Sequence, residues 1–225
     1  MAGMDEKKLL KVDFHCHTVF SKDSLTQPAR LVQAARAAGL DRVVVTDHNE
    51  VEGALRAREL APELVIVGEE VMTTEGELLA AFVDKRVPAG LQPEEAIRLL
   101  REQGAFISVS HPFDGARHGA WQLHALRRIA PLVDAVEIFN ARCAGALPNR
   151  LADEFAQDVH LPGTAGSDGH AAFELGRGAV ILPAFDSADG LRAALAAGRV
   201  EGVLSPYWVH AVSRAAVLAK WLRMA

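Results

Sequence analysis

Two cysteines, Cys16 and Cys143, are too few to frame a disulfide scaffold in a chain of 225 residues. They are expected as small packing residues, and a reducing cytoplasm is the expected compartment. No run of about 18 uninterrupted apolar residues occurs, so no membrane-spanning helix is expected. Met1 to Lys8 is polar and lacks the apolar core of a signal peptide. An excess of base is also missing. The net charge is -5 with acids and bases interspersed, which argues against coating long nucleic acid. No Gly-x-x-x-x-Gly-Lys-Ser/Thr run appears, and Gly176-Arg177-Gly178 lacks a following helix and an acidic ribose partner. Nor is there a linker, repeat or low-complexity tract, so residues 1–225 read as one domain long enough to bury a core.

What is present is an alternation of short apolar runs and helical stretches. Strands are expected at Leu10–Cys16, Arg42–Thr46, Leu64–Val67, Ala105–Val109, Val133–Phe139 and about 160–164, with a further one at Gly178–Leu182. Glu77–Val83 reads as a strand after a turn at Gly76. Helices are expected from Pro28 with Thr26 as N-cap, over Glu50–Leu60, Pro93–Gln103, 121–130 and Pro148–Gln157. Strands alternating with helices argue an α/β fold with a parallel sheet. About seven such units in one domain favour a closed barrel that is not a regular eightfold one. Residues 186–225 are expected as C-terminal helices packing on the barrel. The last of them, Tyr207–Met224, is interrupted by Arg214, Lys220 and Arg223; it reads as packing on the body, with a membrane or dimer surface as the alternative.

The polar residues fall at the ends of these strands. His15 and His17, Asp47 and His48, Glu69 and Glu70, His111, Asn140, then Asp168 and His170 each follow an apolar run. In a β/α barrel those ends gather at one rim. Five imidazoles and several carboxylates there supply more N/O ligands than one ion needs, suited to Zn, Mn or Fe. Strand alternation puts Val12, Phe14 and Cys16 on one face and Asp13, His15 and His17 on the other. Asp13 then reads as support for its neighbours, and Cys16 as a packing residue. Asp23, from spacing alone, reads as a loop carboxylate or helix cap.

Seven pieces occur in a specific order: Asp-Phe-His-Cys-His-Thr (13–18), Ser-Lys-Asp-Ser (21–24), Val-Thr-Asp-His-Asn (45–49), Val-Gly-Glu-Glu-Val (67–71), Ser-His-Pro-Phe (110–113), Glu-Ile-Phe-Asn (137–140) and Gly-Ser-Asp-Gly-His (166–170). Together they resemble the PHP (polymerase and histidinol phosphatase) superfamily of metal-dependent phosphoesterases, from Val12 to about Gly178. The resemblance implies a distorted (β/α)7 barrel with two or three divalent ions (Zn, Mn, Fe or Mg). It implies His15, His17, Glu70 and Asp168 around one ion, with Glu70 bridging to a second that His111 also binds. Asp23, His48 and His170 match the positions that hold a third ion in trinuclear members. Many members place a histidine on the second ion after the shared glutamate. This chain has no histidine between His48 and His111. Its corresponding stretch is Glu75-Gly76-Glu77, and Glu77 is the expected carboxylate substitute, giving a harder site.

The expected activity is metal-assisted hydrolysis of a phosphoester: a small phosphomonoester, a nucleotide or a short oligonucleotide. Two ions about 3.5–4 Å apart would activate a water and hold the phosphoryl oxygens in line. His111, His170 and Asp168 are the expected catalytic residues, with either histidine placed to protonate the leaving alkoxide. Arg117, Arg142, Arg177 and His118 are expected to bind an anionic substrate. The expected partner is a small phosphorylated substrate, without long nucleic acid or membrane. Two other classes stand beside this reading. An amidohydrolase-type metallohydrolase commonly needs a bridging lysine, and none occurs between Lys85 and Lys220. A metal-stabilised domain without catalysis would keep the ligands and show no turnover.

Overall fold

A computed structural model describes residues 8–117 and 119–224. Nine strands form one sheet in the order β7-β6-β5-β4-β3-β2-β1-β8-β9, and seven α-helices accompany it among the described residues. The strands are β1 (Leu9–Cys16), β2 (Arg42–Val45), β3 (Val65–Met72), β4 (Glu77–Ala81), β5 (Phe106–Val109), β6 (Ala135–Asn140), β7 (Gly163–Gly166), β8 (Gly178–Pro183) and β9 (Arg199–Gly202). The helices are α1 (Pro28–Ala37), α2 (Glu52–Leu60), α3 (Pro93–Glu102), α4 (Leu123–Ile129), α5 (Ala146–Asp158), α6 (Ala188–Leu195) and α7 (Val209–Met224). Parallel pairs β1/β2, β2/β3, β5/β6 and β6/β7 are interrupted by β4, which runs antiparallel to β3 and β5. The turn at Gly76 is therefore a hairpin, which is why the barrel departs from regular β/α alternation.

The sheet curls until its β7 edge meets β1. Cys16 and Gly169 form an isolated parallel bridge, the Asp168 N–H donates to the His15 carbonyl at 2.7 Å, and that of His17 to the Gly169 carbonyl at 2.9 Å. The result is a nearly closed barrel-shaped sheet. Gly166 permits the approach, because a Cβ there would overlap the Cβ of His15.

Two apolar clusters lie on the sheet's two faces. Val43, Val45, Val65, Val67, Ile107 and Val136 pack against α1 to α5. Val12, Phe14, Val44, Ile66, Phe106 and Ala135 fill the inner face, covered by Leu191 and Leu195 of α6. Cys16 belongs to the first cluster, not with Val12 and Phe14 as simple alternation expects. The reason is a register shift in β1 between Asp13 and Cys16. Such an irregularity breaks the two-residue period, so apolar Phe14 and polar His15 both reach the barrel's interior.

Other expectations also change. Gln27, not Thr26, is the N-cap of α1, and the Thr26 hydroxyl instead donates to the His170 carbonyl at 3.1 Å. The expected helix at 121–130 begins at Leu123 and tightens into a 3-10 turn at Ala130–Leu132. Residues 186–225 are not helices alone. Arg199–Gly202 forms β9, antiparallel to β8, with short exposed residues that carry no apolar periodicity. No helix among the described residues is long and apolar enough to cross a membrane.

Candidate metal centre

Each parallel strand delivers polar side chains where its apolar run stops. β1 supplies His15, with His17 just past its end, the turn after β2 supplies His48, β3 supplies Glu70, and β4 opens with Glu77. His111 follows β5, and Asp168 and His170 follow β7. Asp168 has a left-handed backbone, φ 51°, a conformation that aspartate tolerates better than most residues.

These groups converge. His15 Nε2 and His17 Nε2 lie 3.1 Å apart. Asp168 Oδ1 is 3.3 Å from His17 Nε2 and 3.7 Å from His15 Nε2. Glu70 Oε2 is 3.3 Å from His15 Nε2, 3.5 Å from His17 Nε2 and 2.9 Å from His48 Nδ1. Its other oxygen lies 3.1 Å from His111 Nε2. Glu70 thus touches both halves of the cluster, whereas Glu69 points elsewhere and accepts the Val87 N–H at 2.9 Å. Glu77 also arrives, 3.6 Å from His111 Nε2 and 3.9 Å from His48 Nδ1. Asp23 reaches in from the loop after β1, its Oδ2 3.1 Å from His170 Nε2 and 3.6 Å from His48 Nε2. His48 therefore has one nitrogen toward Glu70 and Glu77 and the other toward Asp23.

The donor set fits divalent cations. Glu70 Oε2, Asp168 Oδ1 and Asp23 Oδ1 are buried without a hydrogen-bond partner. Buried carboxylate oxygens are seldom left unpaired. Four groups of three side chains bring ligand atoms within 4.8 Å of one another: His15/His17/Asp168, His15/Glu70/His111, His48/Glu70/Glu77 and His17/His48/His170. Imidazoles and carboxylates in that proportion suit Zn, Mn or Fe.

The electrostatics follow from this crowding. Burial would depress the His15 imidazole, but Glu70, Asp168 and Glu137 outweigh it and hold its pKa well above the usual value. His48 is likewise raised, with burial overcome by Glu70 and Asp23. His17 is pushed well down by burial and by its neighbours His170 and His48. Burial would raise Asp168 and Glu70, yet Arg117 and His15 hold the first well down, and His15 and His48 the second. Glu77 is raised by burial and by the Glu70 charge.

A second layer fixes the ligands. Glu137 Oε1 accepts from His15 Nδ1 at 2.9 Å, which aims Nε2 at the centre. Its Oε2 accepts the His111 N–H at 2.8 Å and Asn140 Nδ2 at 3.1 Å. Asn140 Nδ2 and Arg117 Nη1 both donate to Asp168 Oδ2, leaving Oδ1 for the cluster. Ser110 Oγ donates to Glu70 Oε1 at 2.8 Å. Asp47 braces the loop after β1, accepting from the Thr18 N–H and from the Ser21 hydroxyl. Asp13 supports backbone only, accepting the N–H groups of His15, Ser167 and Gly176. Glu137 has no role in the sequence reading. The available signal was a charge inside an otherwise apolar strand.

The expected substrate residues separate. Arg117 lines the pocket over the cluster, and its Nη2 is buried without a partner. Arg142 borders that pocket, but both of its terminal nitrogens are engaged elsewhere and its Nε faces a carboxylate. It donates to the Val209 carbonyl and Ser213 hydroxyl, each at 2.8 Å, and its Nε lies 2.9 Å from Glu174 Oε2. Its Nη1 is 2.9 Å from His170 Nδ1, which is also 2.8 Å from the Asp168 carbonyl. Arg142 is thus a brace between His170 and α7. Arg177 lies outside the pocket lining and donates to the Leu204 carbonyl at 3.0 Å, tying down the chain after β9. His118 lies outside the described residues. The pocket, about 420 Å³, also draws on Lys22 from the loop after β1, Tyr207 from the turn before α7, and His210 and Arg214 of α7.

The chain matches the family model for the PHP domain over residues 13–109 and the PHP-associated model over residues 146–200. It is 33% identical over 157 residues to an uncharacterized protein of Methanocaldococcus jannaschii, covering 64% of this chain and 89% of that protein. Its fold is similar to that of a two-domain protein from Bacteroides vulgatus containing a predicted PHP-like metal-dependent phosphoesterase. The TM-score is 0.72 at 24% identity, covering 88% of this chain and 66% of that one. An endonuclease Q, in complex with a 27-mer duplex substrate bearing an abasic lesion, gives 0.60 at 14% identity, covering 84% and 57%. At these identities the likeness to the solved structures is one of fold. The expectation against long nucleic acid rests on net charge alone, and the fold does not support it.

Proposed function

The chain belongs to the PHP family, and from that premise we propose that it is a metal-dependent phosphoesterase acting on a small phosphorylated substrate. The observation that carries this reading is the convergence of Glu70 Oε2 and Asp168 Oδ1, neither with a hydrogen-bond donor of its own, and of Asp23 Oδ2 with five imidazoles beneath a pocket that Lys22, Arg117 and Arg214 also line. His15, His17 and Asp168 would hold one ion, Glu70 would bridge to a second shared with His111 and Glu77, and Asp23, His48 and His170 would hold a third. Divalent ions there supply Lewis acidity, lowering the pKa of a water and neutralising phosphoryl charge.

The chain's own residues do the rest. Arg117 presents its unpartnered Nη2 to a phosphoryl oxygen while Nη1 steadies Asp168. Lys22 and Arg214 add positive charge at the mouth. His170 lines the pocket whereas the His111 side chain is 1% exposed, so with no third ion on its Nε2 His170 would be the histidine placed to return a proton to the leaving alkoxide. Glu137 and Asn140 hold His15 and Asp168 in their productive orientations. A pocket of about 420 Å³ takes a phosphomonoester, a nucleotide or the end of an oligonucleotide. Lys220 donates to the carbonyls of Val19 and Ser21, so it does not supply the bridging amine of the amidohydrolase reading.

The test is phosphate release from monoesters, nucleotides and short oligonucleotides with Mn, Zn, Fe or Mg. Turnover is expected in the wild type and should be lost in Asp168→Ala with the fold retained. Metal-stimulated turnover equal to wild type in Asp168→Ala and His15→Ala would overturn the proposal.

A further inference from the structure

α7 carries two apolar seams on opposite faces. Val209, Ser213 and Ala216 are buried against the body, and Lys220, one turn on, donates to the Val19 carbonyl at 2.5 Å and to that of Ser21. The other seam faces solvent. Trp208, in the turn just before the helix, and Ala211, Ala215, Leu218 and Leu222 on it are all exposed and follow one another at spacings of three and four residues. That is the 3-4 repeat by which one helix presents a continuous stripe to another. Trp208, Leu218, Trp221 and Leu222 are 57%, 56%, 60% and 61% exposed. Trp208 packs against the exposed ring of Phe173 in a tilted contact, centroids 5.4 Å apart, which extends the patch beyond the helix.

We propose that this seam is a homodimer interface, in which α7 of one subunit packs antiparallel on α7 of a second copy about a two-fold axis near Ala215. Three observations favour a copy of the same helix. The seam is self-complementary in size: with Ala215 at the centre, Trp208 meets Leu222 of the partner subunit and Ala211 lies beside Leu218 of the partner subunit. The two alanines let the helix axes approach to about 8 Å. Two charges of α7 are turned off the seam, since Lys220 is held by loop carbonyls and Arg214 lines the pocket. The exposed apolar face, with Tyr207 and Phe173, amounts to roughly 800 Å² per subunit, about what each partner contributes to a specific interface. A patch of that size is larger than monomeric surfaces ordinarily leave open. Because Tyr207, His210, Ser213 and Arg214 also line the pocket, the interface borders both sites of the dimer.

Light scattering of the full chain with size-exclusion chromatography reads this directly. The wild type is expected at twice the 24.2 kDa chain mass. Ala215→Glu, at an exposed helix position, should keep the circular dichroism spectrum while halving the mass, because it sets two carboxylates against each other. Mixing Ala215→Glu with Ala215→Lys should restore the doubled mass. Ala215→Cys should form a disulfide-linked dimer on oxidation, which reports the contact without disrupting it. A wild-type mass of one chain across a dilution series would overturn the proposal, as would an Ala215→Glu dimer as tight as the wild type. Monomeric protein that binds phosphatidylserine vesicles through this face would also overturn it, assigning the seam to membrane.

Discussion

Glu137 and Glu77 show how much a single carboxylate can decide in this cluster. Three N–H groups, from His15, His111 and Asn140, point at the two oxygens of Glu137. Glutamine in its place offers one acceptor and a competing donor. Glu137→Gln is therefore expected to weaken metal binding by about 10–100-fold, read by competition with a chromogenic chelator, while the metal-free protein stays folded. Glu77 occupies the position where the resemblance implies a histidine, and its oxygens lie within reach of both His48 and His111. Glu77→Ala should lower the number of bound ions by one in elemental analysis. Glu77→His should keep the number and shift preference from Mn toward Zn, because imidazole is the softer ligand. An unchanged ion count in Glu77→Ala would remove Glu77 from the ligand set.

At the scale of elements, the site depends on two irregularities and one ionic junction. The register shift in β1 brings Phe14 and His15 to the same side, and the missing side chain at Gly166 lets β7 reach His15. Gly166→Ala is expected to push β7 off β1 and abolish metal binding, seen as loss of metal-induced stabilisation in a thermal melt. Asp134, just before β6, ties three elements together. It accepts from Arg101 of α3 at 2.6 and 2.9 Å, from the Ile107 N–H of β5 at 2.8 Å and from Arg192 of α6 at 3.1 Å. Partial burial would raise its pKa, but these donors win and hold it below the usual carboxylate range. A depressed folded pKa means the carboxylate stabilises above its unfolded pKa, near 4, and loses that contribution as pH falls through the folded value. Asp134→Asn should cost about 1–3 kcal/mol at neutral pH, and the gap in melting temperature from wild type should close below about pH 4.

On the scale of the whole molecule, the rim concentrates unpaired charge that a cation would neutralise. Ions that bind the folded chain alone must stabilise it by mass action. Saturation at about a hundredfold above the dissociation constant is expected to add about 2.7 kcal/mol, reversed by chelator and measured by calorimetry. A melting temperature unmoved by Mn, Zn, Fe and Mg would mean that the cluster holds no ion. The C-terminal helix joins the same assembly from outside, since Arg142 links His170 to the Val209 carbonyl and Ser213.

The alternation of apolar runs and polar strand ends was enough to predict the α/β barrel, most of its elements and the histidines that meet at its rim, while Asp23, Glu77 and the choice of Glu70 over Glu69 came from the family resemblance. That information is local: a buried strand must be apolar, and a ligand must follow where the run stops. Even the hairpin at Gly76 was visible as a turn. Other features had no local signature. Whether Arg142 clamps substrate or braces α7 depends on Val209 and Ser213, more than sixty residues away in sequence. Glu137 acquires its role only when closure at β7 brings β6 within two strands of β1, and Asp23 meets His170 only when the sheet curls shut. The β1 irregularity parted Cys16 from Val12 and Phe14, because alternation fails where the register shifts. Short exposed β9 showed no apolar period at all, since it leans on β8 and buries little of its own. Chain pattern decided which residues could bind a metal; closure of the barrel decided which nitrogen and oxygen atoms face one another.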